Sequence, residues 1–128
     1  TMIPIKELAT SRGIPISELL TDKAFDEDIK ETMVGGATLT KLLGTSAWYG
    51  PGAAVAELVD AIVNDKKKLM PNSVYLEGEF GIDGVCIGVP CIIGKHGVEG
   101  ILEIKLSDSD KIKFTNSATA IKEVNGLI

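Results

Sequence analysis

The stretch of residues 69–103 constrains this chain more than any other. Residues 69–77 alternate in part between apolar and polar, Gly78-Glu79-Phe80-Gly81 breaks the pattern, and residues 85–89 form a compact apolar run. A period of two puts one side of a strand on a core and the other in water. Residues 91–103 then read as a β-hairpin, with His96-Gly97 as a two-residue loop whose positions both take positive φ. Successive antiparallel strands must be covered on their apolar side, and helical patterns lie before and after them.

Residues 26–43 read as helical, because Ile29, Met33, Ala37, Thr40 and Leu43 recur at spacings of three and four. Gly35-Gly36 is expected to bend or interrupt that helix. A second helix runs from about Gly52 to Asn64, with Val55, Leu58, Val59, Ile62 and Val63 as its buried stripe and Glu57, Asp60 and Asn64 outward. Lys66-Lys67-Lys68 follow its C-terminal end, where positive charge complements the helix dipole, and read as a solvated cluster rather than a phosphate patch. Ser107 caps the last helix, and Asp110 three residues later gives an acidic variant of the capping box. Phe114, Ala118 and Ile121 supply its inner face, and Gly126 falls just past its end. At the start, residues 2–9 read as a short extended piece that Pro4 confines to an edge. Residues 12–15 read as a turn and residues 16–20 as a short helical turn. The expected fold class is α+β, an antiparallel sheet packed with helices, in one domain over residues 1–128.

Composition narrows the function classes. At 128 residues, with 45% hydrophobic and 24% charged, the chain suits one globular domain with a sizeable core. A net charge of -5 with 18 acidic residues argues against nucleic acid. No run of 18 apolar residues is present, so no membrane span is expected, and the start resembles no signal peptide, which points to the cytoplasm. Cys86 and Cys91 read as buried thiols of a reducing compartment; with a single histidine to help, neither a disulfide nor a metal site is expected. The apolar opening, Thr1-Met2-Ile3-Pro4-Ile5, reads as cut from something longer.

Candidate chemistry is sparse. Gly50-Pro51-Gly52-Ala53-Ala54-Val55 begins like the G-x-G-x-x-G of a dinucleotide turn. Such a turn needs a buried strand leading in and a third small residue for tight packing, whereas residues 44–49 are no strand and the third position is Val55. Pro51 instead suits the first turn of a helix, and Gly50 and Gly52 allow a close approach to the backbone. His96, the single histidine, reads as a turn residue before a proton carrier. Glu77 and Glu79 read as an exposed strand end rather than a carboxylate pair for glycoside chemistry, which needs separation and a shaped cleft. Ser46 has no histidine nearby in sequence, and the adjacent Trp48-Tyr49 read as packing at a helix entrance. The residues alone therefore give no self-sufficient active site and no catalytic residue.

The segments "TMIPI", "GIPISELL", "GGATLTKLLGTSAWYGPGAAVAELVDAIVNDKKKLMP" and "YLEGEFGIDGVCIGVPCIIGKHGVEGILEIKLS" resemble, in order and over nearly the whole chain, the C-terminal domain of the lactate/malate dehydrogenase family. The match is to NAD-dependent malate dehydrogenases of the lactate-dehydrogenase-like branch. The resemblance implies that family's α/β-roll domain, paired with an N-terminal Rossmann domain that this chain lacks. It implies interconversion of malate and oxaloacetate with NAD by the complete enzyme, and a homo-oligomer, dimer or tetramer. In the family the catalytic histidine lies just ahead of the position of Thr1, and the glycine-rich turn, the substrate-selecting arginine, the carboxylate-clamping arginine and the histidine-orienting aspartate are also absent here. The chain alone is thus expected to be inactive and not to bind NAD. What remains by resemblance is pocket wall: Ser46 and Ala47 face the substrate, and Pro51 approaches the nicotinamide. Lactate dehydrogenases commonly carry threonine at the position of Ala47, where a smaller residue makes room for the larger dicarboxylate. The family usually has asparagine at the position of His96, which agrees with a turn. A lactate dehydrogenase piece and a stand-alone, non-catalytic oligomerisation module are the alternatives.

Overall fold

The structure, a computed structural model, describes residues 6–126, which fall into two compact units divided between Pro51 and Gly52. The expected extended piece at residues 2–5 lies outside the described residues; Lys6–Leu8 forms a 3-10 turn, not a strand.

In the first unit, β1 (Thr10–Ser11) pairs antiparallel with β2 (Ile14–Pro15). Arg12 and Gly13 join them, both with positive φ (52° and 82°), the geometry of a two-residue hairpin. The expected turn is therefore the tip and second strand of a small hairpin. One helical turn follows, α1 (Ile16–Leu19), and then α2 (Asp22–Leu43). The latter starts four residues earlier than its apolar spacing indicates. The Thr21 hydroxyl accepts the Ala24 N–H at 3.3 Å, capping the first turn, and Lys6 forms an ion pair with Asp22. Gly35-Gly36 does not break the helix, which runs on to Gly44 in the left-handed conformation, a common helix stop.

The helix α3 (Tyr49–Val63) begins in the first unit and continues in the second. It starts three residues before the expected Gly52, with Pro51 inside its first turn, where the missing N–H costs nothing. It stops without a glycine. Lys66 N–H donates to Ala61 O and Asp65 N–H to Ile62 O, a Schellman motif in which Asp65 takes the left-handed position, φ 48°.

Three antiparallel strands form the sheet, in the order β3 (Lys68–Glu77), β4 (Asp83–Gly94), β5 (Gly97–Ile101). In β4 the odd-numbered residues Val85, Ile87, Val89, Cys91 and Ile93 are buried and the even-numbered Cys86, Gly88 and Ile92 are exposed. Register sets Leu76 opposite Val85 and Val74 opposite Ile87 on the same side. This face is covered by helices. Ala61, flanked by Leu58 and Ile62, packs on Cys91 and Ile93, while α4 (Asp108–Asn125) lies against β4 with Phe114 and Ala118 buried. Ser107 caps α4 as expected, accepting the Asp110 N–H at 3.2 Å. The α+β arrangement, antiparallel sheet and helices, is the one the sequence implied.

Three expectations are corrected here. Cys86 is exposed: five residues from Cys91, an odd step in a strand, it points to the opposite face. Val55, Val59 and Val63 are 58%, 50% and 73% exposed, because α3 carries two apolar faces and only the one with Leu58, Ala61 and Ile62 meets the sheet. The β4–β5 loop is Lys95-His96, with Gly94 opposite Gly97; positive φ falls on Gly97 (86°), while His96 is not among the positive-φ residues.

Candidate functional site

Ser46, Ala47 and Pro51 all lie at the junction between α2 and α3, within the first unit. Gly44 turns the chain out of α2, residues 45–48 are non-helical, and α3 begins at Tyr49. Ser46 and Pro51 are exposed and Ala47 is half-buried. Trp48 and Tyr49, expected to pack, contact one another at 6.2 Å between ring centroids but remain 60% and 83% exposed. The junction thus presents a hydroxyl, a methyl, a pyrrolidine ring and two aromatic faces to its surroundings, and no titratable group apart from the Tyr49 phenol. It can shape a pocket and donate or accept a hydrogen bond through Ser46; it cannot by itself move a proton at neutral pH.

The Gly50-Pro51-Gly52 segment does not fit a pyrophosphate. No strand enters it, the helix has already begun at Tyr49, and Pro51 removes one of the free N–H groups of its first turn.

His96 belongs to the second unit, at the β4–β5 turn. Its backbone N–H donates to Glu99 Oε1 at 3.3 Å, and the neighbouring Lys95 N–H donates to Asp65 Oδ1 at 2.9 Å. Lys67 pairs with Glu99 and, at 3.1 Å, with Asp65. The Lys95 N–H, followed by Lys67, holds the Asp65 carboxyl below its ordinary range, and Lys67 does the same to Glu99. This network ties the end of α3 to the hairpin tip, and sequence reading missed it. Its one signal was that residues 64–68 follow the helix without glycine or proline, so a non-glycine residue takes the left-handed position at the stop.

The neighbouring lysines are likewise engaged, Lys66 with Asp60 and Lys68 with Glu57, so the Lys66-Lys67-Lys68 run presents matched charge rather than an anion site. Glu79 accepts the Glu77 backbone N–H at 2.7 Å, a local strand-end contact that leaves no facing carboxylate pair. Among the described residues no group of three His, Cys, Asp or Glu side chains is placed to hold a metal, and no helix is long and apolar enough to cross a membrane.

Residues 1–125 match the family model described as lactate/malate dehydrogenase, alpha/beta C-terminal domain. The chain is 58% identical to a malate dehydrogenase of Flavobacterium frigidimaris over 125 residues, 98% of this chain and 40% of that protein. It is 53% identical to a malate dehydrogenase of Bacteroides fragilis over 128 residues, 100% of this chain and 41% of that protein. Among solved structures, the malate dehydrogenase of Aeropyrum pernix superposes with a TM-score of 0.92 at 38% identity, covering 95% of this chain and 40% of the other. The chain therefore spans about 40% of the length of the relatives it matches.

Proposed function

The chain belongs to the lactate/malate dehydrogenase family, as its alpha/beta C-terminal domain, and from this premise we propose that it is the substrate-side domain of an NAD-dependent malate dehydrogenase. The observation that carries the reading is 58% identity over 98% of the chain to a malate dehydrogenase. The nucleotide-binding Rossmann domain and the catalytic histidine belong to the part of such an enzyme outside these 128 residues. NAD, when bound, supplies the hydride transfer that interconverts malate and oxaloacetate.

The work of this chain is shape and exclusion. Ser46 and Ala47 form one wall of the substrate pocket, and Pro51 at the start of α3 bounds the nicotinamide side. Ala47 ends at Cβ, which leaves room for the second carboxylate of a four-carbon acid; a branched residue would fill that space. The protein acts in the cytoplasm as a homo-oligomer.

The test uses the full-length protein. NADH oxidation should be faster with oxaloacetate than with pyruvate, and Ala47→Thr should reduce that preference about tenfold, the scale on which one pocket methyl discriminates. A clear preference for pyruvate would overturn the malate reading. An unchanged preference in Ala47→Thr would remove Ala47 from the pocket wall.

A further inference from the structure

We propose that the cleft between residues 103–106 and the start of α4, lined by none of the α2–α3 junction residues, binds a small organic anion with an aromatic or alkyl body. The cleft measures about 350 Å³, within the range of small-ligand sites. Its apolar floor is the edge-to-face pair of Phe80 and Phe114, with centroids 5.4 Å apart. Phe80 is held there at a backbone cost: its φ is 55°, a region bulky side chains rarely adopt, and Glu103 Oε2 accepts its N–H at 2.7 Å. Glu103 thus spends its carboxylate on the backbone that aims the ring.

Lys105, Lys111 and Thr115 line the same cleft. Among the described residues neither lysine has a carboxylate within ion-pair distance, although seven other lysines do. In a chain of net charge -5, two lysines without carboxylate partners lining the same cleft as two aromatic rings select a negative head and an apolar body together. A bare phosphate would meet the lysines and leave the floor wet.

The test is calorimetric titration of the full-length protein with 4-phenylbutyrate, beside 4-phenylbutanol and inorganic phosphate. Saturable binding of the carboxylate is expected, weakened about tenfold or more in Lys105→Gln/Lys111→Gln and about tenfold weaker for the alcohol. Both lysines are exposed, so the double variant keeps the parent's thermal melt. No saturable binding at millimolar carboxylate, equal affinity in the double variant, or phosphate binding as tightly would each overturn the proposal. Activity is not read, so the outcome is independent of the malate reading.

Discussion

Gly94 closes β4 where two carboxylates converge on the backbone. A Cβ built there would lie 2.7 Å from Glu99 Cδ and 2.9 Å from Asp65 Oδ1, and in contact with Glu99 Oε1 as well. Such ends could normally swing aside, but these are pinned by the Lys95 and His96 N–H groups and by Lys67. Gly94→Ala should therefore lower Tm by several degrees, while Gly88→Ala, in the same strand with open space around its Cβ, should leave it nearly unchanged. Equal melts for the two variants would contradict the convergence. The same network makes a pH prediction. Asp65 and Glu99 have native pKa values below their ordinary 3.8 and 4.5, so on acidification the unfolded chain takes up protons first. Their contribution is complete above those ordinary values and is lost as pH falls through the lower native ones. Lys67, raised by Glu99 and then Asp65, behaves oppositely: its share is complete below 10.5 and lost as pH climbs through the raised value. Urea unfolding from neutral to about pH 3 should show the acid loss, and Glu99→Gln should flatten it. A parallel loss in the variant would assign the effect elsewhere.

At the scale of elements, α2 is the informative case. Gly35 and Gly36 looked like a break, yet the helix runs through them, and a Cβ on Gly35 would meet nothing within 4 Å. Gly35→Ala should then raise stability by about 0.5–1 kcal/mol, the ordinary gain from removing backbone freedom in a helix interior. A lower urea midpoint would reveal that something seats against that glycine. What was legible in sequence were elements whose own pattern suffices: the compact apolar run of β4, the capping serine of α4, the apolar recurrence of α2. What was not legible depends on partners distant in sequence. Periodicity reports that Val55, Val59 and Val63 share a face with each other, but not that Leu58, Ala61 and Ile62 are the ones to meet β4. The pairing of β1 and β2 involves two residues on each side, too short for any alternation to register. The proposal for the α2–α3 junction rests on family likeness rather than chemistry, since Ser46, Ala47 and Pro51 carry no charge.

For the whole molecule, the decisive quantity is apolar surface left in water. In the first unit, Leu42 is 79% and Tyr49 83% exposed, and Met33, Val34, Leu39, Leu43 and Trp48 are also exposed. In the second, Val55, Val59 and Val63 form a stripe at spacings of four along α3, and Leu69 and Tyr75 add to the exposed apolar surface of β3. Scattered exposed leucines need no explanation, but side chains repeating along one helix face form a contiguous patch of the kind that marks an interface. Five net negative charges oppose association only weakly, because at physiological salt they are screened beyond about 8 Å while apolar contact acts at closest approach. Light scattering on the 128-residue chain expressed by itself should therefore give at least a dimer, and raising salt should not dissociate it. Val59→Lys, which places an ammonium in the middle of the α3 stripe without touching the Leu58–Ala61–Ile62 face, should shift the chain toward monomer. A monomer in the parent chain at every accessible concentration would mean that these faces tolerate water, and that the patches do not drive assembly.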